Sequence, residues 1–474
     1  MRENEHNIQT LKRGDRLTLN IEKAAFEGKT ISRLGDFVVF IEGAVPGDLV
    51  EVEIFRKRKR YAEARVVSVV TPSQHRVEPA CGHFGVCGGC RWQHMDYEEQ
   101  LRWKREHVLE SFAHVGGLGD VTVHPTLAAE DVFFYRNKME YSFGEKRWHT
   151  TPPKENDRLV EPAFALGLHV PRRYDKILHV DRCYLQSETS NEVLAFTRDF
   201  FLAHDIRAYS TKTHSGELRH LVIREGKNTG QRMVYLVTSP MDTAIVDEYA
   251  REVVAAVPDI TTVVHGVTTR KSMVAQTDEN RVLFGPGIIE ETLGGCRYEI
   301  SPSSFFQSNT RQAEKLYAVT LDYAGVEADT VVWDLYCGIG TIALFFARHA
   351  GRVVGVELNP DAVEDARRNA ARNGVENCEF VASDIVEFLA SAAAVPDVVV
   401  IDPPRSGLHP KVVKGLGMLP VSRLVYVSCN PVTCARDVKM LGEYGFRVQQ
   451  VQPVDMFPHT YHIECVVTLR RDQP

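Results

Sequence analysis

The stretch VVWDLYCGIGTIALFFARHAGRVVGVEL, residues 331–358, decides the fold. An apolar run, a glycine loop and an apolar-faced helical segment come in that order, and a second apolar run follows. Residues 359–374, NPDAVEDARRNAARNG, then read as a capped helix. CEFVAS, DVVVIDPP and RLVYVSCNP supply further short apolar runs. Strands alternating with helices predict a doubly wound, mainly parallel sheet from residue 301 to 474.

Three strand ends in this unit carry chemistry. Asp334-Leu-Tyr-Cys-Gly-Ile-Gly-Thr341 closes the first strand. Its glycines let the backbone approach a ligand at the carboxyl edge of the sheet. Glu357, at the end of the next strand, is placed to take the two hydroxyls of a ribose. The full G-x-G-x-x-G of a dinucleotide site is absent, and a tight turn without a ligand is the plain alternative. Asp402-Pro403-Pro404-Arg405 forms a rigid turn at the same edge. Val427-Ser428-Cys429-Asn430-Pro431 brings a cysteine there. Most cysteines are packing residues, and Cys337 and Cys465 read that way. Cys429 differs because the Asn-Pro turn exposes it beside the expected ligand. Glu464 opens the last strand and can serve as a base if that strand lies beside Cys429.

Outward from this unit the signals thin. Residues 10–71 alternate apolar and polar positions between Gly28, Gly35, Gly43 and Gly47. About five short strands there suit a small barrel of the OB type. The run Arg56-Lys57-Arg58-Lys59-Arg60 lies within it, flanked by Phe55 and Tyr61. Such a run is either a solvated face or a phosphate contact. Cys81, Cys87 and Cys90 cluster next, with Cys183 an isolated fourth candidate. A structural zinc site wants two tight ligand pairs. One tight pair, a third near cysteine and a distant fourth suit a 4Fe–4S cluster better, with zinc the alternative. Residues 132–300 mix strands and helices and carry few chemical motifs.

Composition bounds the rest. The chain of 474 residues is too long for one core. Ten cysteines in so long a chain do not make a disulfide scaffold. No apolar run reaches the length of a membrane span, and the first residues lack a signal-peptide core. The expectation is a cytoplasmic protein. A net charge of -7 excludes a uniformly basic nucleic-acid binder, so RNA affinity must be local.

Taken together these motifs resemble the bacterial 23S ribosomal RNA (uracil-5-)-methyltransferase family, of the TRAM-domain and iron–sulfur type. The cysteine set, SSFFQSN at 303–309, the glycine loop 334–341, Asp402 to Gly407, Ser428 to Pro431 and the terminal His462-Ile463-Glu464 fall in the family's order along nearly the whole chain. The resemblance implies an N-terminal OB-like TRAM β-barrel (1–71) and an α+β central RNA-binding domain with an iron–sulfur cluster (72–300). A C-terminal α/β Rossmann-like methyltransferase domain (301–474) completes it, and a helix at about 99–115 can pack on that domain. By the same resemblance Gln307, Tyr336, Gly338, Thr341, Glu357, Asp384 and Asp402 contact S-adenosyl-L-methionine. Thr341 stands where some members carry asparagine. Cys429 is the nucleophile and Glu464 the base. Cys81, Cys87, Cys90 and Cys183 hold the 4Fe–4S cluster. The basic run at 56–60, with Phe305 and Phe306, contacts RNA. The implied partner is 23S ribosomal RNA or its precursor, bound by a monomer. Three other readings stand beside this one: a transfer RNA uracil-5 methyltransferase, a non-catalytic RNA-binding assembly factor, and an amino-methyltransferase. The last commonly carries an aromatic after Asp-Pro-Pro, where this chain has Arg405.

Overall fold

The computed structural model of the protein describes residues 11–146, 148, 164–171, 173–272, 274–391 and 394–471. Residues 1–10 and 472–474, which open and close the expected first and last domains, lie outside the described residues. No described helix is long and apolar enough to cross a membrane.

The C-terminal sheet has seven strands. Their order is Cys378–Ala382, Arg352–Glu357, Val331–Leu335, Val398–Ile401, Arg423–Ser428, Glu464–Arg470 and Arg447–Val454. All pairs are parallel except those made by Glu464–Arg470, which runs against both neighbours. Val398–Ile401 is buried at every position, as a parallel strand covered on both faces must be. Helices start where the sequence places caps. Asn309 caps Thr310–Ala324, Asn359 with Pro360 opens Pro360–Arg372, and Asn430 with Pro431 opens Pro431–Gly442.

The N-terminal unit is a six-stranded sheet. It encloses its own core, with Val39, Ile41, Val50, Val52 and Ile54 fully buried. The central unit is a second seven-stranded sheet, mostly antiparallel, with helices Glu188–Ala203 and Thr243–Ala256 sharing its core.

Two segments cross the expected boundaries. The hairpin Ile289–Leu293 and Cys296–Ile300 puts Ile289, Leu293, Tyr298 and Ile300 into one core with Val332, Ala343 and Leu344. This hairpin thus shares a core with both the central sheet and the sheet that follows it. The helix Tyr97–Ser111, capped by Asp96, packs Val108 and the following Phe112 against Cys434, Ala435 and Val438 of the C-terminal unit. Lys104 of this helix is fully buried and meets Asp455 at 2.5 Å. Tyr97 donates to the other Asp455 oxygen at 3.0 Å. A buried pair like this holds only when both charges are met.

Candidate active site

The glycine loop leaves the strand Val331–Leu335 by a turn that ordinary residues resist. Tyr336 takes φ 68°, a left-handed value costly for a side chain, and Gly338 and Gly340 take 53° and 82°. Backbone N–H groups of Tyr336 and Cys337 both donate to the Val356 carbonyl, at 2.9 and 3.1 Å. The loop is thereby pinned over the next strand. A side chain on Gly338 would meet nothing within 4 Å, whereas one on Gly340 would come within 2.9 Å of the Phe380 ring. Gly338 thus faces open space, and Gly340 is small because a ring packs on it.

Glu357 accepts from the Gly338 N–H at 3.2 Å and from the Asn359 N–H at 2.9 Å. Its carboxylate is held at the sheet edge. Asp334 is wholly buried, and neither carboxylate oxygen has a well-aligned hydrogen bond; the Ala343 backbone N–H is the donor nearby. Burial, and then the charges of Asp402 and Glu357, push the Asp334 pKa up to about 8. Asp402 follows the strand Val398–Ile401, and burial raises it to about 7. The exposed Asp384 caps the helix Ile385–Ser391 through Val386 N–H at 2.8 Å. Thr341 bonds the Tyr317 hydroxyl at 2.8 Å, and Gln307 is tied by its carbonyl to Asn137 at 2.7 Å. The open space at Gly338 and the anchored Glu357 fit a polar adenosyl ligand at this edge.

Cys429 follows the strand Arg423–Ser428. The antiparallel register pairs Ser428 with Cys465, so Cys429 and Glu464 stand opposite one another at the end of the ladder. Burial pushes the Cys429 thiol up to about 12, with Glu464 and Asp402 adding to it and Arg405 opposing. Burial also holds Glu464 well above the ordinary carboxylate range. Asn430 locks the turn, its side-chain amide donating to the Arg405 carbonyl at 3.2 Å. Arg405 in turn donates to His462 Nδ1 at 2.6 Å. Cys429, Arg405, Asn430 and His462 line an open cleft of about 500 Å³.

Two residues from the distant barrel, Phe26 and Glu27, line the same cleft. Sequence reading missed them because only tertiary packing brings them there. Phe26 stacks on His107 with ring centroids 5.0 Å apart, and Glu27 sits at φ 65°. Sequence reading singled out His462 only as part of the His462-Ile463-Glu464 motif and gave it no place in the cleft.

The expected RNA contacts divide. Phe305 is 73% exposed. Phe306 is not available: it is 5% exposed and packs on Tyr298 in the core, so its expected RNA contact is corrected to a packing role. Arg56, Arg58, Lys59 and Arg60 are exposed around the turn that joins two long barrel strands. Arg56 pairs with Glu63 at 3.4 Å, which offsets part of the charge of the run.

Cys81, Cys87, Cys90 and Cys183 line one small pocket. Burial, and then neighbouring groups that include the other thiols, push Cys87 to about 11 and Cys90 to about 12. No group of three or more ligand side chains in the described residues stands close enough to hold one metal ion.

Residues 247–472 match the model of the tRNA (Uracil-5-)-methyltransferase family, and residues 10–67 match the TRAM domain. The chain is 42% identical to an RNA methyltransferase of Chlorobaculum tepidum over 97% of both chains. It is 38% identical to one of Bacteroides thetaiotaomicron, covering 94% of this chain and 99% of that one. Among solved structures it is similar to the tRNA (uracil-54, C5)-methyltransferase of Pyrococcus abyssi in complex with S-adenosyl-L-homocysteine. That likeness has a TM-score of 0.73 and 30% identity, and it covers 95% of this chain and 99% of the other.

Proposed function

This chain belongs to the RNA (uracil-5-)-methyltransferase family, S-adenosylmethionine-dependent enzymes, and from that premise we propose that it methylates a uridine of 23S ribosomal RNA through a covalent Cys429 adduct. The observation that carries this reading is Cys429 at an open cleft with the buried Glu464 opposite it at the end of the strand ladder.

Carbon 5 of uracil is a poor nucleophile. Addition of the Cys429 thiolate to carbon 6 makes the ring an enolate and carbon 5 electron-rich. S-adenosylmethionine supplies an electrophilic methyl on a cationic sulfur, held by Glu357 and the backbone at Gly338. After methylation, Glu464 removes the proton from carbon 5, and the Cys429 thiolate is expelled. Burial and the Asp402 charge raise the proton affinity of Glu464, which makes its ionised form a stronger base than a solvated carboxylate. Arg405 opposes the carboxylates and favours the thiolate. The exposed Phe305 ring offers a stacking surface to a base splayed from folded RNA.

Cys81, Cys87, Cys90 and Cys183 fit a 4Fe–4S cluster as a donor set. All four thiols line one pocket, and among the described residues no three ligand groups stand close enough to hold a single metal ion; these four would be the cluster's ligands. The cluster's role would be to staple the segment around Cys81–Cys90 to the central sheet.

Transfer RNA is the second reading, and the likeness to the Pyrococcus abyssi enzyme favours it. That match spans both chains almost whole, so overall architecture does not select ribosomal RNA. The test is mass-mapping of 5-methyluridine in ribosomal and transfer RNA from a strain lacking this protein. Loss from one 23S position supports the proposal. Loss from transfer RNA alone replaces it with the second reading.

A further inference from the structure

His462 has no role in the chemistry above, yet its surroundings fix its protonation. Its Nδ1 lies 2.6 Å from an Arg405 guanidinium nitrogen. Guanidinium only donates, so Nδ1 is the acceptor and carries no proton. Burial, and then the charges of Arg405, Lys104 and Arg136, lower the imidazole pKa to about 4. The ring is therefore neutral, and its single proton is on Nε2. Among the described residues Nε2 has no hydrogen-bond partner, and it is not one of the buried, unsatisfied atoms. The ring lines the cleft that contains Cys429. Tyr461 at 4.3 Å and Phe457 at 6.1 Å between centroids hold its plane, and its backbone N–H donates to Thr460 at 3.2 Å. The result is a fixed, neutral N–H donor at the nucleophile's cleft.

Such a donor answers a requirement of the reaction. When sulfur bonds to carbon 6, the electron pair of the carbon 5–carbon 6 double bond moves toward carbon 4. The carbonyl oxygen there gains the negative charge. Carbon 5 later gives that pair to the methyl, whose bond to sulfur breaks with the pair left on sulfur. A donor aimed at the oxygen stabilises the charged state more than the neutral one. We propose that His462 is a catalytic residue whose Nε2–H donates to oxygen 4 of the target uracil in the Cys429 adduct. Arg405 is its positioning residue, since loss of the guanidinium frees the other tautomer. This inference rests on the covalent reading above.

The test uses the full protein with a 5-fluorouridine RNA, which traps the adduct. Wild type and three variants, His462→Phe, His462→Gln and Arg405→Gln, are compared for adduct rate, S-adenosylmethionine affinity and thermal midpoint. His462→Phe should form adduct about 10²–10³-fold more slowly, as when one oxyanion donor is removed, with cofactor affinity and midpoint unchanged. His462→Gln restores an N–H donor and should recover at least about tenfold of that loss. Arg405→Gln should fall between them. Adduct formation by His462→Phe at the wild-type rate overturns the donor role while leaving the Cys429 reading standing. A slow adduct with no recovery in His462→Gln and a lowered midpoint reduces His462 to packing and also overturns it. If wild type itself forms no adduct, the covalent reading fails first and takes this inference with it.

Discussion

Cys429 and Cys90 are both half-buried, and burial pushes both thiols up to about 12. Their neighbours differ. Glu464 and Asp402 surround Cys429, with Arg405 opposing, at a cleft open to solvent. Cys90 shares a small pocket with Cys81, Cys87 and Cys183. In the proposed function, the thiol beside carboxylates is the nucleophile with a base at hand, and the thiols beside thiols are the metal ligands, which share one electrophile. Burial and pKa alone do not separate the two, and the identity of the adjoining groups does.

Replacing Cys429 with Ala breaks the comparison most sharply. Methylation should fall by at least about 10⁴-fold while S-adenosylmethionine still binds, as expected when a covalent nucleophile is lost. Turnover within tenfold of wild type would show that Cys429 belongs with the packing cysteines. Glu464→Gln comes next. Turnover should drop about 10²–10⁴-fold, and an RNA–protein adduct stable to denaturation should accumulate on gels. Unimpeded turnover with no adduct would assign the proton to another group.

The pH dependence separates the thiols again. A thiol with pKa far above neutrality gains thiolate as pH rises. Adduct formation with 5-fluorouridine RNA should therefore climb about tenfold per unit between pH 7 and 9. Asp402, which titrates near 7, adds an opposing charge over the same range and makes the slope slightly shallower. A rate flat across that window would mean the thiolate is already formed at neutrality.

On the ligand side, Cys90→Ser should remove iron and visible absorbance from anaerobically purified protein. It should also lower the thermal midpoint, because metal binding is coupled to folding. Stoichiometric zinc in the wild-type protein would refute the cluster. The smallest effect is expected at Cys434, fully buried against Cys465 and outside both sites. Cys434→Ala should cost about 1–2 kcal/mol of stability and leave activity intact. A large activity loss there would mean that burial beside the catalytic strands, rather than the adjoining carboxylates, is what matters.

The catalytic half was legible because its chemistry sits at strand ends. Asp334, Asp402 and Cys429 each follow an apolar run, and parallel strands bring those ends to one edge. Glu464 was legible only conditionally, since nothing local says which strand neighbours which. The central unit was opaque for a physical reason. The strand Leu218–Glu225 is buried at all eight positions, including Arg219, His220, Arg224 and Glu225. LRHLVIRE is legible as an element, but with no alternation of polar and apolar residues nothing in it says which face packs on what. Phe305 and Phe306 are adjacent and chemically identical, and only the turn of the backbone sends one to solvent and the other to the core. Phe26 and Glu27 reach the cleft from a domain hundreds of residues away, a relation no local pattern encodes.

The buried pair of Lys104 and Asp455 has a consequence in time as well as in space. The ribosome makes the lysine 351 residues before its counter-ion. Until Asp455 emerges, the helix Tyr97–Ser111 has an ammonium that it cannot bury without a penalty of several kcal/mol. The N-terminal barrel can form early, as first-made domains do. The docking of this helix must wait for the segment that leads into Glu464. A chain that ends before Asp455 would leave the Lys104 ammonium without its counter-ion and the Val108 face of the helix uncovered.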